Sequence, residues 1–173
     1  MDTAAPATSS TRGPGGLLDR PILRGPDTVE VERREKGGVT TIIARHDGYR
    51  RTCNLVHERE LVLVASTGAL EGRDSITPAA GSTWRGKHGP VVRFHLHPSV
   101  AAEPGRRQGE VILLLPGGTA WRFRSPDVVP GIEESVHFAN PEGPRRTSQI
   151  VLALRRGGAD AITSVRWALE PDA

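Results

Sequence analysis

Alternation of apolar and polar residues with a period of two recurs along most of this chain. It runs through TVEVERRE, VTTIIARH and GIEESVHF, and turn residues separate these segments. The segment GALEGRDSITP is predicted to form a turn, a short strand and another turn. Side chains at every second position of a β-strand share one face, so the pattern is typical of half-buried strands. The 20 Gly and 14 Pro recur between such segments. The sequence therefore predicts an all-β fold, an antiparallel β-sandwich of the jelly-roll or supersandwich kind with roughly nine to eleven strands.

The length of 173 residues suits one domain with a hydrophobic core. Residues 1–26 are rich in Ser, Thr, Pro and Gly and are predicted to be a flexible or weakly ordered lead-in, with the sandwich over 27–170. The lead-in has no apolar h-region, and no apolar run approaches about 20 residues. Neither a signal peptide nor a transmembrane segment is predicted, and the compartment stays open.

The charge distribution argues against nucleic acid as a partner. The net charge is +3, and only two of the 23 basic residues are lysines. The arginines are scattered and form no concentrated basic stripe. Either a coding bias toward Arg or a surface that holds carboxylates and sulfates through forked hydrogen bonds explains them. Cys53 is the single cysteine, which excludes an intramolecular disulfide and indicates a small buried apolar residue.

The stretch VVRFHLHPSV places Arg93, His95 and His97 on one face of a predicted strand. Two imidazoles at this spacing can ligate one metal ion with a carboxylate, as in the cupin fold. Glu103 or Glu133 would supply that carboxylate, although Glu103 lies one or two residues too far along the chain for the cupin pattern. A cupin-like metal-dependent enzyme is therefore the alternative hypothesis.

The same row of side chains also fits a polar sheet face without chemistry. Glu133, Ser135 and His137 form a second polar row, and two arginines after Trp121 form a third. Stacked in one sheet, these rows would make a surface able to hydrogen-bond an acidic sugar, or simply the outside of a sandwich. The candidate substrate-binding residues are Arg93, His95, His97, Arg122 and Arg124.

A third candidate lies in ARHDGYRR, where His46, Asp47 and Tyr49 offer a base, an acid and a phenol. The dipeptide Asp47-Gly48 is typical of a turn after a strand, with Tyr49 packed on the sheet edge, and this structural interpretation is preferred. The chain contains no nucleophile elbow, phosphate-cradling Gly loop or zinc-knuckle spacing.

Several stretches together resemble a known family. HDGYRRTCNLVHERELVL, LEGRDSI, VVRFHLHPSV, GTAWRFRS, IEESVHFAN, PRRTSQIVL and VRWAL are similar in order and wording to the C-terminal part of bacterial heparinase II/III-type polysaccharide lyases. The resemblance implies a sandwich of antiparallel sheets packed against an N-terminal helical toroid. It also implies β-elimination of uronic-acid-containing polysaccharides, in which a Tyr or His removes the C5 proton while the uronate carboxylate is neutralised.

This sequence departs from the family pattern at its start. It shows no toroid and no segment of the type His-x-His-Ala-Asp-x-x-Ser-Phe, which in the family carries a catalytic and a metal-ligating His, and Pro6 stands where a His is expected. The resemblance therefore gives no catalytic residue and no cofactor here, although a divalent metal such as zinc occurs in the family.

The expected role is ancillary. The chain would bind acidic polysaccharide such as a glycosaminoglycan, or complete a larger enzyme, and residues 1–173 alone would have no lyase activity. Family members are often periplasmic or bound to the cell envelope, but this chain shows no export signal. An uncovered sheet face and unpaired sheet edges predict association with a helical toroid domain or chain, or self-association.

Overall fold

A computed structural model describes residues 25–138, 143–158 and 162–172. These residues form eleven strands in two antiparallel sheets and one single-turn helix. The predicted all-β antiparallel sandwich and its predicted number of strands are confirmed. The elements are β1 (Val29–Lys36), β2 (Val39–His46), α1 (Arg50–Cys53), β3 (Leu55–Val64), β4 (Ala69–Pro78), β5 (Val91–His95), β6 (Ala101–Pro104), β7 (Glu110–Leu114), β8 (Ala120–Arg124), β9 (Gly131–His137), β10 (Arg145–Ala153) and β11 (Thr163–Pro171).

The large sheet has eight strands in the order β1-β2-β3-β4-β11-β8-β7-β6, and the small sheet has the order β5-β10-β9. Their inner faces meet in one main core, which contains Phe123 and Trp167 from the large sheet and Ile150 and Leu152 from the small one. The fully buried residues that the large sheet gives to this core come from β7, β8 and β11. The core therefore lies at one side of the large sheet, whereas β1 is exposed along its whole length.

A second, smaller apolar cluster lies near the groove described below. It contains Leu55, Ile76 and Trp84, and Cys53 packs against it. Cys53 is half-buried, so the prediction that it is a small apolar packing residue is right in kind, although its burial is incomplete.

Three local features differ from the sequence-based predictions. The segment GALEGRDSITP was expected to hold only a short strand, but β4 runs through ten residues because it pairs along its length with β3 on one side and β11 on the other. Strand β6 and helix α1 were not predicted, since four residues are too few to show a period. The predicted lead-in lies almost wholly outside the described residues. No helix in the described residues is long and apolar enough to cross a membrane.

Candidate functional site

A groove of about 670 Å³ opens where the small sheet ends and the inner face of the large sheet continues. Strands β3 and β4 form its floor, and the loop that ends β4 and leads into β5 forms one wall. Edge strand β5 completes that wall. Polar side chains on its floor are thus placed between a hydrophobic core and open solvent.

Asp74 of β4 is the centre of the groove floor, with only 1% of its surface exposed. One carboxylate oxygen, Oδ1, accepts hydrogen bonds from His57 Nε2 and from Arg59 Nε, both at 2.7 Å. The other oxygen, Oδ2, accepts a hydrogen bond from Trp167 Nε1 at 2.8 Å. Three donors thus satisfy a buried negative charge, as such a charge requires.

The strand register explains why these groups meet. Arg59 is directly opposite Asp74 in the β3–β4 pair, and side chains directly opposite in an antiparallel pair share a face. Trp167 is opposite Gly72, where any β-carbon would overlap the indole ring. Because Gly72 has no side chain, the indole can lie over β4 and reach the carboxylate of Asp74.

A second histidine extends the network away from Asp74. His46 Nδ1 accepts a hydrogen bond from the backbone N–H of Gly48 at 3.2 Å, so its proton is on Nε2. That Nε2 is 3.1 Å from His57 Nδ1, and His57 in turn donates from Nε2 to Asp74. In this arrangement each imidazole uses both ring nitrogens.

The pKa values agree with this arrangement. Burial lowers the pKa of His46, and the neighbouring His57 lowers it further, while Asp47 acts in the opposite direction. Burial alone would raise the pKa of Asp74, but hydrogen bonds from His57, Arg59 and Trp167 outweigh it and hold that pKa below its ordinary value. Asp74 is therefore an anion at neutral pH and belongs to the scaffold of the floor.

Arg59 combines this ion pair with aromatic contacts. Its guanidinium lies 5.4 Å from the centre of the Phe94 ring and 5.8 Å from that of Trp167. Cation–π contacts of this kind hold a guanidinium in place. About a third of the Arg59 side chain stays exposed, so it faces the groove as a fixed cation.

The rim of the groove is strongly basic. Arg85, Lys87, His88 and Arg93 line it together with the half-exposed ring of Tyr49. Within the described part of the chain, Arg85, Lys87 and Arg93 make no ion pair, and the acidic residue among those that line the groove is the already paired Asp74. The groove therefore presents uncompensated positive charge to an anionic ligand.

Arg93 and His95 of the predicted row lie on the outer face of β5 in the small sheet, with Arg93 also at the groove. His97 lies two residues beyond the end of this strand. His95 Nδ1 is 2.7 Å from Ser135 Oγ, which confirms that the β5 and β9 rows lie in one sheet. His97 Nδ1 is 2.7 Å from Ser99 Oγ, and its ring meets that of His137 edge-on at 5.1 Å. His95 thus belongs to a hydrogen-bonded sheet face, and His97 lies at the turn that follows the strand.

The expectation that Arg122 and Arg124 stack in the same sheet as the β5 row is wrong. Both belong to β8 of the large sheet, because β8 pairs with β7 and β11. Arg122 forms an ion pair with Asp172, and Arg124 donates to Glu170 at 2.6 Å. Their charges are compensated locally, unlike those on the groove rim.

Neither carboxylate that was predicted to complete a metal site with His95 and His97 is placed to do so. Glu103 lies on β6, in the other sheet. Glu133 accepts a hydrogen bond from Gln149 Nε2 at 3.1 Å. In residues 25–138, 143–158 and 162–172, no group of three or more His, Cys, Asp or Glu side chains is placed to hold a metal ion.

The predicted turn in ARHDGYRR is present at Asp47, where the backbone N–H of Arg50 donates to the carbonyl of Asp47 at 2.8 Å. The turn does not account for His46. Asp47 Oδ1 accepts hydrogen bonds from the backbone N–H groups of Asp27 and Thr28, at 2.8 and 3.0 Å. His46, however, belongs to the network on the groove floor, and Tyr49 lines the groove instead of packing on a sheet edge. The sequence reasoning named Arg93 and His46 but missed His57, Arg59, Asp74, Trp167, Arg85 and Lys87.

Comparison with known proteins identifies a family for this chain. A family model described as heparinase II/III-like, C-terminal, matches residues 7–168. FtsZ-localized protein C of Caulobacter vibrioides is 32% identical over 154 residues, which are 86% of this chain and 26% of that protein.

Solved structures share the fold at low sequence identity. Heparan sulfate lyase HepC from Pedobacter heparinus has a TM-score of 0.65 at 12% identity, over 90% of this chain and 23% of that one. A heparinase III has a TM-score of 0.63 at 11% identity, over 85% and 22%. The chain thus spans about a quarter of the length of the proteins that it matches. Because the family model matches residues 7–168, this chain belongs to the heparinase II/III-like C-terminal domain family.

Proposed function

We propose that this chain is a polysaccharide-binding β-sandwich of the heparinase II/III type, which holds an acidic glycan in the groove beside β5. The observation that carries the proposal is the uncompensated charge of Arg85, Lys87 and Arg93 above a fixed Arg59. Guanidinium groups bind carboxylates and sulfates through paired hydrogen bonds, and uronic acids and sulfated sugars carry these groups.

The groove also has the shape and the apolar component that a sugar needs. Its volume of about 670 Å³ is in the range of ligand-binding clefts. Tyr49, Trp84 and Val92 contribute apolar surface beside the cations. An aromatic ring beside fixed cations suits the apolar face of a sugar ring, whose substituents are anionic.

Chromatography on immobilised heparin and immobilised alginate tests the proposal directly. We expect the wild-type chain to bind at low salt and to elute as ionic strength rises, because exposed charge pairs are screened. The combined variant Arg85→Ser, Lys87→Ser and Arg93→Ser should elute at clearly lower salt, with an apparent affinity lower by about ten- to thirtyfold. Stronger retention on heparin would favour sulfate, and equal retention would favour the carboxylate that both polymers carry.

A matched control removes the same charge elsewhere. The variant Arg106→Ser, Arg145→Ser and Arg146→Ser loses three exposed cations that do not line the groove. It should elute close to wild type. Equal losses in the two variants would show attraction by net charge alone and would overturn the proposal, as would passage of the wild type through both columns at low salt.

The proposal assigns no proton abstraction to this chain. Both nitrogens of His57 are engaged, by His46 and Asp74, and both nitrogens of His46 are engaged, by Gly48 and His57. An imidazole without a free lone pair is not poised to take a proton from a sugar. We therefore infer that neither His46 nor His57 acts as the general base of an elimination reaction in this chain.

A second candidate function comes from the relative with the higher identity. FtsZ-localized protein C is 32% identical, against 11–12% for the lyases, so a role in a protein that localises with FtsZ is the competing proposal. Co-sedimentation of residues 1–173 with FtsZ polymers tests it. Pelleting that is absent without FtsZ would support this candidate, and a chain that stays in the supernatant would exclude direct binding.

A further inference from the structure

Strand β1 is an open edge of the large sheet. It is the first strand in the sheet order, and within the described ranges no strand pairs with its outer side. All eight of its residues are exposed. An edge strand presents unpaired backbone N–H and C=O groups, which can pair with a strand from another chain.

The opposite edge is protected in ways that β1 is not. Strand β6 has four residues and ends in Pro104, and both short length and proline hinder pairing. Strand β1 has eight residues and no proline, and Val29 and Val31 on it are 60% and 67% exposed. The charged side chains of β1 are thus the main feature that hinders pairing with other strands. Their arrangement determines which strand can pair with β1.

The charges on one face of β1 are complementary to themselves. Glu30, Glu32, Arg34 and Lys36 occupy alternate positions, with the acidic pair first and the basic pair second. If a second β1 aligns antiparallel with Arg33 opposite Arg33, each Glu30 faces a Lys36 and each Glu32 faces an Arg34. Within one copy Arg34 already forms an ion pair with Glu32 at 2.6 Å, so the two copies would bring these four side chains together with alternating charge. Opposite charges directly across an antiparallel pair are stabilising.

In other antiparallel registers, like charges face each other across the strand pair. A register shifted by two residues in one direction places Glu32 opposite Glu32, and a shift in the other direction places Arg34 opposite Arg34. On the other face, each Arg33 already forms an ion pair with its own Glu35 at 2.8 Å, which compensates the two arginines at the centre. The charge pattern therefore selects a single antiparallel register.

The backbone of the β1–β2 hairpin fits the same register. Gly37 and Gly38 have φ angles of 59° and 76°, as a two-residue type I′ turn requires, and Lys36 pairs with Val39 at its base. The closing pair of such a hairpin exchanges both hydrogen bonds, so every second residue from Lys36 backwards bonds to β2. The backbone groups that point to the open edge belong to Val29, Val31, Arg33 and Glu35.

These are the groups that a two-fold axis at Arg33 would join. The Arg33 pair and the pairs of Val31 with Glu35 would then exchange hydrogen bonds. The charged pairs would occupy the alternate positions, where the α-carbons of an antiparallel pair are closest. The open backbone groups and the charged side chains thus each favour the same antiparallel register, with Arg33 opposite Arg33.

We propose that two copies of this chain associate through antiparallel pairing of β1 with β1, which joins two eight-stranded sheets into one. The partner is a second copy, because the charge pattern and the open backbone groups are both self-complementary. The groove of each copy stays open, so the association does not depend on the proposed glycan binding.

Sedimentation equilibrium of the full chain tests this proposal. The weight-average mass should rise with concentration from 18.6 kDa toward twice that value. It should return toward the monomer value in about 1 M salt, where the Debye length is only about 3 Å.

Charge reversal sharpens the test. The variant Glu30→Lys with Glu32→Arg and the variant Arg34→Glu with Lys36→Glu should each be monomeric, and an equimolar mixture of the two should dimerise again. The control Glu103→Lys with Glu134→Arg makes the same net charge change as the first variant at exposed positions outside β1 and should dimerise like wild type. Arg33→Pro removes an edge-facing N–H group and should also abolish the dimer.

A wild type that is monomeric at its highest soluble concentration would overturn the proposal. Dimers that persist in both charge-reversal variants would do the same, because they would come from another surface. So would a failure of the mixture to dimerise when circular dichroism shows that both variants are folded.

Discussion

Asp74 connects three elements of the groove floor through single side-chain contacts. It receives hydrogen bonds from β3 through His57 and Arg59 and from β11 through Trp167. A buried carboxylate with three donors is stable only while all partners are present, since each unpaired polar group costs desolvation energy. This residue therefore links the stability of the fold to the geometry of the groove.

Replacement of Asp74 by Asn should lower the free energy of unfolding by about 2–4 kcal/mol, because Arg59 loses its counter-ion while partly buried. Urea denaturation followed by fluorescence measures this loss. Asp127→Asn is the matched control, since Asp127 pairs with the exposed Arg166, and its effect should be much smaller. Equal losses in the two variants would contradict the role given to Asp74.

Acid should destabilise the chain in two steps. The ordinary pKa of histidine is 6.5, and that of His46 is lowered in the fold. Between these two values the unfolded state binds more protons, so stability is complete above about pH 6.5 and falls as the pH drops toward the folded value. The lowered pKa of Asp74 adds a second loss, as the pH falls below its ordinary 3.8 toward the folded value.

Denaturation curves from about pH 8 to pH 5 separate the first step. His46→Gln should flatten the pH dependence in this interval, because glutamine does not titrate. If the free energy of unfolding depends on pH in the same way in this variant, His46 does not cause the loss of stability.

At the scale of elements, sequence periodicity predicted the strands well and their faces only in part. Alternation identified β5 and β9 and placed Val92 and Phe94 inward, because each of these strands has one apolar and one polar row. In β3 the inward row includes His57 and Arg59 while the outward row includes Glu58 and Glu60, so both faces are polar. No period distinguishes them, and only the pairing with Asp74 does.

The sheet order was equally outside what periodicity can show. Arg122 and Arg93 alternate in the same way along their strands, yet β8 and β5 belong to different sheets. That assignment depends on contacts between residues far apart in sequence, such as Trp167 with Asp74. The family resemblance predicts the sandwich, but the position of the groove depends on how the strands pair and pack.

The β4–β11 pair gives a prediction at this scale. Gly72→Ala should lower the free energy of unfolding by about 1–3 kcal/mol, because the added methyl group overlaps the Trp167 ring and displaces its N–H from Asp74. Gly131→Ala is the control, since a β-carbon there meets nothing closer than 3.9 Å. Tryptophan fluorescence during urea denaturation measures both, and an unaffected Gly72→Ala protein would contradict the packing described.

At the scale of the whole molecule, the chain is a sandwich whose inner face extends beyond its own core. The small sheet covers β7, β8 and β11, and the groove and the open edge of β1 lie on the less covered side. We expect purified residues 1–173 to produce no absorbance from unsaturated uronate when mixed with heparan sulfate or alginate. His46 and His57 of the groove floor use both ring nitrogens, and the sequence shows no segment of the His-x-His-Ala-Asp type. Unsaturated product formed by the wild-type chain and not by the Asp74→Asn variant would contradict this expectation.

The central claim is that an acidic glycan binds in the groove beside β5. Titration of the isotope-labelled chain with a heparin-derived oligosaccharide, followed by two-dimensional NMR, tests it most directly. The account predicts saturable shifts of the Trp84 indole and of the backbone amides from Arg85 to Arg93. Saturable shifts confined to the β8 arginines or to the outer face of the small sheet, or no shifts at all, would contradict it.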